Sequence, residues 1–275
     1  MSPVRRLTLS QIETDGGQGT MRRSALYSAI PLGAAPHAGA ASPDATSPTA
    51  ALLTPLQAGI SLARTGDMSR RRAGPARSRF FERLSMDEAG VFALTQVHSR
   101  RVLVVDGQTP QELAGTEADG MVTTRGDAVL TVTVADCLPI FLADPVTGAF
   151  GLVHSGWKGT GIVRAALEAM AGAFGTDPHT VSVTIGPGIG PCCYRVPEER
   201  AAAFALEFGA AAVVRGADGT PRLDLRAANV ALLHAAAVED IAVVEDCTCC
   251  TSFLSSFRRQ GADAFTLMLA FIRRG

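Results

Sequence analysis

The chain has 275 residues, 47% hydrophobic and 19% charged, enough to bury one large core. A formal net charge of −1 removes electrostatic attraction to nucleic acid or to an anionic membrane surface as a driving force. No apolar run approaches the ~20 residues of a membrane helix, and six scattered cysteines are too few for a disulfide scaffold, so reduced thiols in a cytoplasmic compartment are expected.

Residues 1–50 read as a tail. The stretch 31–50 is rich in Pro, Ala, Gly and Ser and has too few large apolar residues to join a core. Met21-Arg22-Arg23 opens a stretch similar to a signal peptide, but Ser28 and Pro31 break its apolar segment. Residues 51–275 are then expected to form a single domain.

From residue 90 the patterning is dense. Val91 to Val97 and Val102 to Val105 are short β-type runs, and Ala128 to Val134 alternates with period two. Leu138 to Leu142 and Ala149 to Val153 follow, joined by the turn signal Asp144-Pro145-Val146-Thr147-Gly148. Three neighbouring strands with short connections predict an antiparallel meander. Lys158 to Phe174 predicts a helix with Ile162, Ala166, Met170 and Ala173 on one stripe. Further helices are expected at Glu198 to Phe208 and Leu225 to Val238, and strands at Val181 to Ile185, Ile241 to Val244 and Phe265 to Phe271. Strands and helices mix without regular βαβ alternation. The expected class is α+β, a mixed and largely antiparallel sheet core flanked by helices in αββα-like layers.

Three side chains carry the chemistry. His98, Cys137 and His154 each follow or end a strand-like run and can converge at one sheet edge. Two imidazoles and a thiolate suit zinc with its fourth position open. The same residues also fit a thiol hydrolase with Cys137 as nucleophile and a histidine as its base. Gly156, Gly159 and Gly161 open a helix beside Lys158, the sole lysine, where free N–H groups favour an anion such as phosphate. The glycines of Gly186-Pro187-Gly188-Ile189-Gly190 read as a tight turn with φ > 0. Cys247-Thr248-Cys249-Cys250 has no second C-x-x-C, and Cys192-Cys193 has the wrong spacing, so a packed or surface turn is expected there.

The segments TQVHSRRV (95–102), EADGMVTT (117–124), TVADCLPIFLAD (133–144), GLVHSGWKGT (151–160), IGPGIGPCCY (185–194), LDLRAAN (223–229) and CTCCTSFLSSFRR (247–259) together resemble the laccase-domain, polyphenol-oxidase-like family. Its bacterial members are multifunctional purine nucleoside phosphorylases. The resemblance implies that His98, Cys137 and His154 are zinc ligands. It further implies phosphorolysis of adenosine, inosine, guanosine and methylthioadenosine, together with deamination of adenosine. Purine nucleosides and phosphate are then the partners, for a monomer or weak homo-oligomer. Copper and phenol oxidation are the lesser implication, because one Cys and two His fall short of a multicopper site. Arg79, from the family's Asn-Arg pair, and Lys158 are expected at phosphate, and Gln96 at substrate or a ligand. The rim departs from the family: Ser78 replaces the asparagine, Arg195 replaces a glutamate, and residues 45–60 lack the usual opening segment. A degenerate, non-catalytic metal-binding protein is the reading those departures leave open.

Overall fold

Period-two patterning sorts the strands into two sheets packed face to face. The structure, a computed structural model, describes residues 2–9, 27–29, 32, 55–70 and 74–275. In chain order its strands begin with β1 (Arg5–Leu7), β2 (Tyr27–Ala29), β3 (Leu56–Ser61), β4 (Val91–Ala93) and β5 (Val102–Val104). Next come β6 (Gly120–Thr123), β7 (Val129–Val134), β8 (Leu138–Ala143), β9 (Phe150–Ser155) and β10 (Ser182–Ile185). The last are β11 (Val213–Arg215), β12 (Pro221–Leu223), β13 (Asp240–Val244) and β14 (Met268–Arg274). One sheet runs β2-β3-β14-β7-β4, the other β1-β13-β10-β8-β9-β6-β5, and β11 and β12 form a small ribbon.

Alternation explains the layers. Along β7 and β14, Leu130, Val132, Val134, Met268, Ala270 and Ile272 point into the core between the sheets, where Phe141, Phe150 and Leu152 meet them. Val129, Leu269 and Phe271 face the other way, onto Phe80 and Phe81 of helix α1 (Ala76–Arg83). The far face of the seven-stranded sheet, with Ile140, Leu142 and Val153, is covered by helices. These are α2 (Ile162–Phe174), α3 (Glu198–Phe208) and α4 (Leu225–Ala235). A short α5 (Phe257–Gln260) lies in the loop before β14. The result is α+β with αββα layers, as the sequence predicts.

Four expectations are corrected. β7 does not join β8 and β9 in a meander: it pairs with β14 and β4, and the chain crosses between sheets at residues 135–137. Local spacing cannot reveal this, because a two-sheet crossover and a hairpin have the same length. The helix after His154 begins at Ile162 rather than Lys158, since Gly161 at its N-cap has φ +102, and Ala173 is exposed. The last strand starts at Met268, not Phe265. Finally, the N-terminal segment is not all tail: Arg5–Leu7 pairs in parallel with β13, and Leu9 is buried in the inter-sheet core. Most of residues 10–54, including all of the stretch 31–50 except Leu32, lies outside the described residues.

β1 covers an edge of the larger sheet and anchors Leu9. Removing residues 1–9 should therefore lower the thermal midpoint, and Leu9→Ala alone should cost about 2–5 kcal/mol. Calorimetry on the two variants checks this, and an unchanged midpoint in both would mean the segment does not pack.

Candidate metal centre

Two of the three expected ligands sit where the chain passes from one sheet to the other. His98 lies between β4 and β5, and Cys137 between β7 and β8. Both crossings are sharp: His98 has φ +60 and Asp136 has φ +92. Left-handed backbone is unfavourable at a non-glycine residue, so each turn needs outside support. Asp136 has it, its carboxylate accepting from Thr248 Oγ1 at 2.6 Å and Arg258 N at 2.7 Å. His154 stands on β9, sharing with Phe150 and Leu152 the face turned to the other sheet. The ligating atoms of His98, Cys137 and His154 all lie within 4.8 Å of one another, a grouping able to hold a metal ion.

One buried carboxylate organises this group. Asp119, at the start of β6, is fully buried and accepts from the backbone N–H groups of Val97 (3.1 Å), His98 (3.0 Å) and Ser99 (2.7 Å). It accepts as well from Ser99 Oγ at 2.8 Å, and its Oδ1 lies 2.8 Å from Nδ1 of His154. With Nδ1 engaged, Nε2 of His154 is the nitrogen left for a metal, the usual histidine–carboxylate arrangement. Burial alone would raise the Asp119 carboxyl, but its hydrogen bonds to His154 and Ser99 outweigh that and hold it at about 2. Burial would likewise raise Cys137 and lower His154. Their mutual attraction reverses both, bringing the thiol down to about 6 and the imidazole up to about 9. Cys137 is thus poised as a thiolate, the form that binds metal or attacks carbon.

The surroundings are built to fit. A Cβ at Gly156 would meet Cys137 Sγ at 2.7 Å and His98 Cδ2 at 3.1 Å, so only glycine leaves space beside the trio. A Cβ at Gly120 would meet Val153 Cγ1 at 2.6 Å, and its absence lets β6 approach β9 closely enough for Asp119 to reach His154. Gly186 and Gly188 are not the φ > 0 residues expected. Neither has positive φ, and both are glycine because Pro139, Leu138 and the Asp136 carbonyl leave no room for a side chain.

The trio opens on a cavity of about 570 Å³. Trp157, Tyr194, Phe257 and Phe265 supply aromatic surface, and Arg200 and Arg258 supply positive charge. Gln96 lines it too, yet its amide is already committed, donating to Thr133 O at 2.8 Å and accepting from Thr133 N at 2.7 Å. The other two expected residues are elsewhere. The exposed Lys158 places its ammonium 5.5 Å from the Trp157 ring centre and does not line the cavity. Arg79 is an exposed residue of α1 and does not line it either. Asp119, Arg200 and Arg258 went unassigned from sequence, although Asp119 lies in EADG and Arg258 in SFRR, two of the segments that carry the resemblance.

Fold and site together define a two-sheet α+β protein with a His-Cys-His centre beside a mixed aromatic and cationic cavity. The chain belongs to the family described as multi-copper polyphenol oxidoreductase laccase, whose sequence profile matches residues 59–274. It is 37% identical over 193 residues to purine nucleoside phosphorylase ORF3 of Streptomyces griseus, covering 68% of this chain and 76% of that protein. With a purine nucleoside phosphorylase of Streptomyces coelicolor it shares 39% identity over 181 residues, 64% of this chain and 72% of the other. Among solved structures, YlmD from Geobacillus stearothermophilus superposes with a TM-score of 0.70 at 29% identity, over 83% of this chain and 94% of that one. YfiH from Bacillus licheniformis gives the same TM-score at 27% identity, over 80% and 93%.

Replacing Asp119 by Asn should weaken metal retention roughly 10- to 100-fold, the usual loss when a carboxylate partner of a ligating histidine is removed. Because the folded carboxyl lies below its unfolded value, its contribution of about 2 kcal/mol is present above pH ~4 and disappears as pH falls towards 2. Acid unfolding curves of wild type and Asp119→Asn should therefore converge in that window, and parallel curves would count against the assignment. Gly156→Ala should strip metal while leaving the circular dichroism spectrum unchanged, since its new methyl meets the ligands rather than the core.

Proposed function

We propose that this protein is a zinc-dependent purine nucleoside phosphorylase acting in the cytoplasm on adenosine, inosine, guanosine or methylthioadenosine, with adenosine deamination as a second activity of the same site. The observation that carries the reading is the His98, Cys137 and His154 trio opening on a cavity with stacking surface and two arginines. The names of the two Streptomyces relatives support it. Two imidazoles and one thiolate beside the space left by Gly156 suit zinc with an open position. When bound, the ion supplies Lewis acidity at the cavity wall.

The chain's own residues account for the rest. A purine is recognised by stacking on rings such as Tyr194, Phe257 and Phe265. Arg200, stacked over Trp157, replaces Lys158 and Arg79 as the group that binds phosphate, its planar fork matching the anion's oxygens, while Arg258 donates to the Cys193 and Arg195 carbonyls and adds positive charge to the wall. Phosphate attacks the ribose C1′ as the bond to the purine nitrogen breaks and its electron pair leaves with the base. Burial, reinforced by the Cys137 charge, pushes the Tyr194 hydroxyl up to about 12, so it remains neutral and offers a hydrogen bond to the bound base.

Release of free base from inosine or adenosine tests the reading, run with and without phosphate and with and without a chelator. Release should require phosphate and metal, and ammonia from adenosine should report the second activity. Arg200→Ala should raise KM for phosphate about 10-fold or more, the worth of one charged hydrogen bond, with metal content unchanged. Inactivation by iodoacetamide at Cys137, with indifference to chelator and phosphate, would instead establish a thiol hydrolase. Bound zinc with no turnover of any purine nucleoside would make this a binding protein.

A further inference from the structure

A second cluster of metal-ligating side chains lies outside the site already described. Cys192, Cys193, Cys247 and Cys250 bring their four sulfurs within 4.8 Å of one another. Sequence spacing hid this, because the C-x-x-C half-site has no second half of matching spacing: the vicinal Cys192-Cys193 pair joins it only where the loop after β10 and the loop after β13 meet. They meet at an isolated bridge between Gly188 and Cys247, closed by Thr248 N donating to Gly188 O at 3.1 Å. The expected packed or surface turn is therefore a four-thiol convergence.

We propose that these four cysteines form a second metal site, a closed tetrahedral centre for a thiophilic divalent cation, zinc being the natural occupant. The geometry carries it first. Four thiolates at the zinc–sulfur distance of ~2.3 Å sit about 3.8 Å apart along each tetrahedral edge. Here Cys192 and Cys250 are 3.7 Å apart and Cys193 and Cys250 3.4 Å, already at that spacing. Four protein donors leave no open position, which marks a structural rather than a catalytic centre.

The surroundings carry it further. Cys247 Sγ accepts the backbone N–H of Gly190 at 3.2 Å and is approached by those of Cys249 and Cys250. Backbone donors directed at a cysteine sulfur stabilise the thiolate. A centre of four thiolates and a divalent ion has net charge −2, and arginines stand around this one. The buried Arg226 guanidinium comes so close that the absent Cβ of Gly190 would touch Arg226 Nη1 and Cys192 Sγ, each at 3.3 Å. Arg222 donates to Cys192 O at 2.9 Å, Arg258 to Cys193 O at 3.4 Å and Arg259 to Cys249 O at 3.0 Å, fixing the backbone that presents the sulfurs.

The location gives the site a purpose. Cys193 directly precedes Tyr194 in the cavity wall, and Cys247 directly precedes Thr248, whose hydroxyl holds Asp136 at the crossing before Cys137. A bound ion staples together two loops that support the first centre from behind.

The test counts metal and identifies its ligands separately. Full-length protein purified from zinc-supplemented cells should carry two zinc ions per chain by elemental analysis. The Cys192→Ser/Cys250→Ser double variant should carry one, and so should His154→Ala. Since the cysteine variant can misfold, cobalt reconstitution of Cys137→Ala gives an independent reading. That protein lacks the first centre's only sulfur, so intense thiolate-to-cobalt charge-transfer absorption there must come from the second site. Absence of that absorption, or a Cys193–Cys250 disulfide found by peptide mapping of protein purified without reductant, would overturn the proposal.

Discussion

The carboxylate of Asp119 is the constraint on which the site depends. A charge with no solvent contact is stable only if its lone pairs are filled, and five donors fill them. Two of those donors belong to the histidines of the trio, the backbone N–H of His98 and the ring Nδ1 of His154, and both meet the same oxygen. One side chain therefore fixes a ring orientation on β9 and an unfavourable backbone turn at His98 together. The strain at His98 persists because the loop cannot relax without leaving the carboxylate short of partners.

The sheets supply the second constraint. Three connections between the sheets pass this end of the fold, from β4 to β5, from β7 to β8 and from β13 to β14. The crossings at residues 94–101 and 135–137 carry His98 and Cys137, while the long passage from β13 to β14 carries Thr248 and Arg258. The functional groups thus come from loops, yet each loop is pinned at both ends by strands of different layers. That pinning gives the precision that sites on free loops lack. Gly156 and Gly188 complete the arrangement by omission, since any side chain there would occupy space claimed by Cys137, His98 or Leu138.

Much of this was legible in the sequence. The apolar runs of β7, β8 and β9, the helix over Glu198–Phe208 and the convergence of His98, Cys137 and His154 all follow from local periodicity and side-chain chemistry. What was not legible depended on pairing across long distances. β7 alternates as an antiparallel strand should, but the residues alone do not say that its neighbour is β14, more than a hundred positions away. Arg200 looks like any exposed arginine at the start of a helix until Trp157 is found 4.4 Å beneath it. Lys158 drew attention as the sole lysine beside a glycine-rich turn. The left-handed Gly161 delays the helix to Ile162, and the ammonium stands over the indole instead. Asp119 is inconspicuous in the sequence, because a lone aspartate before a glycine usually signals a turn. Its importance lies wholly in donors that other segments bring to it.

The inter-sheet core has a consequence for how the site can fail. Phe141, Phe150 and Leu152 on one side and Leu130, Val132 and Ile272 on the other set how far apart the sheets lie and how they are aligned. His98 and Cys137 hang from the crossings between layers, while His154 rides on one layer alone. Any slip of one sheet over the other changes the separations among the three donors at once. The centre is in effect a gauge of sheet alignment. Repacking of aliphatic residues well away from the cavity would disturb the geometry of the trio as surely as replacing one of its members.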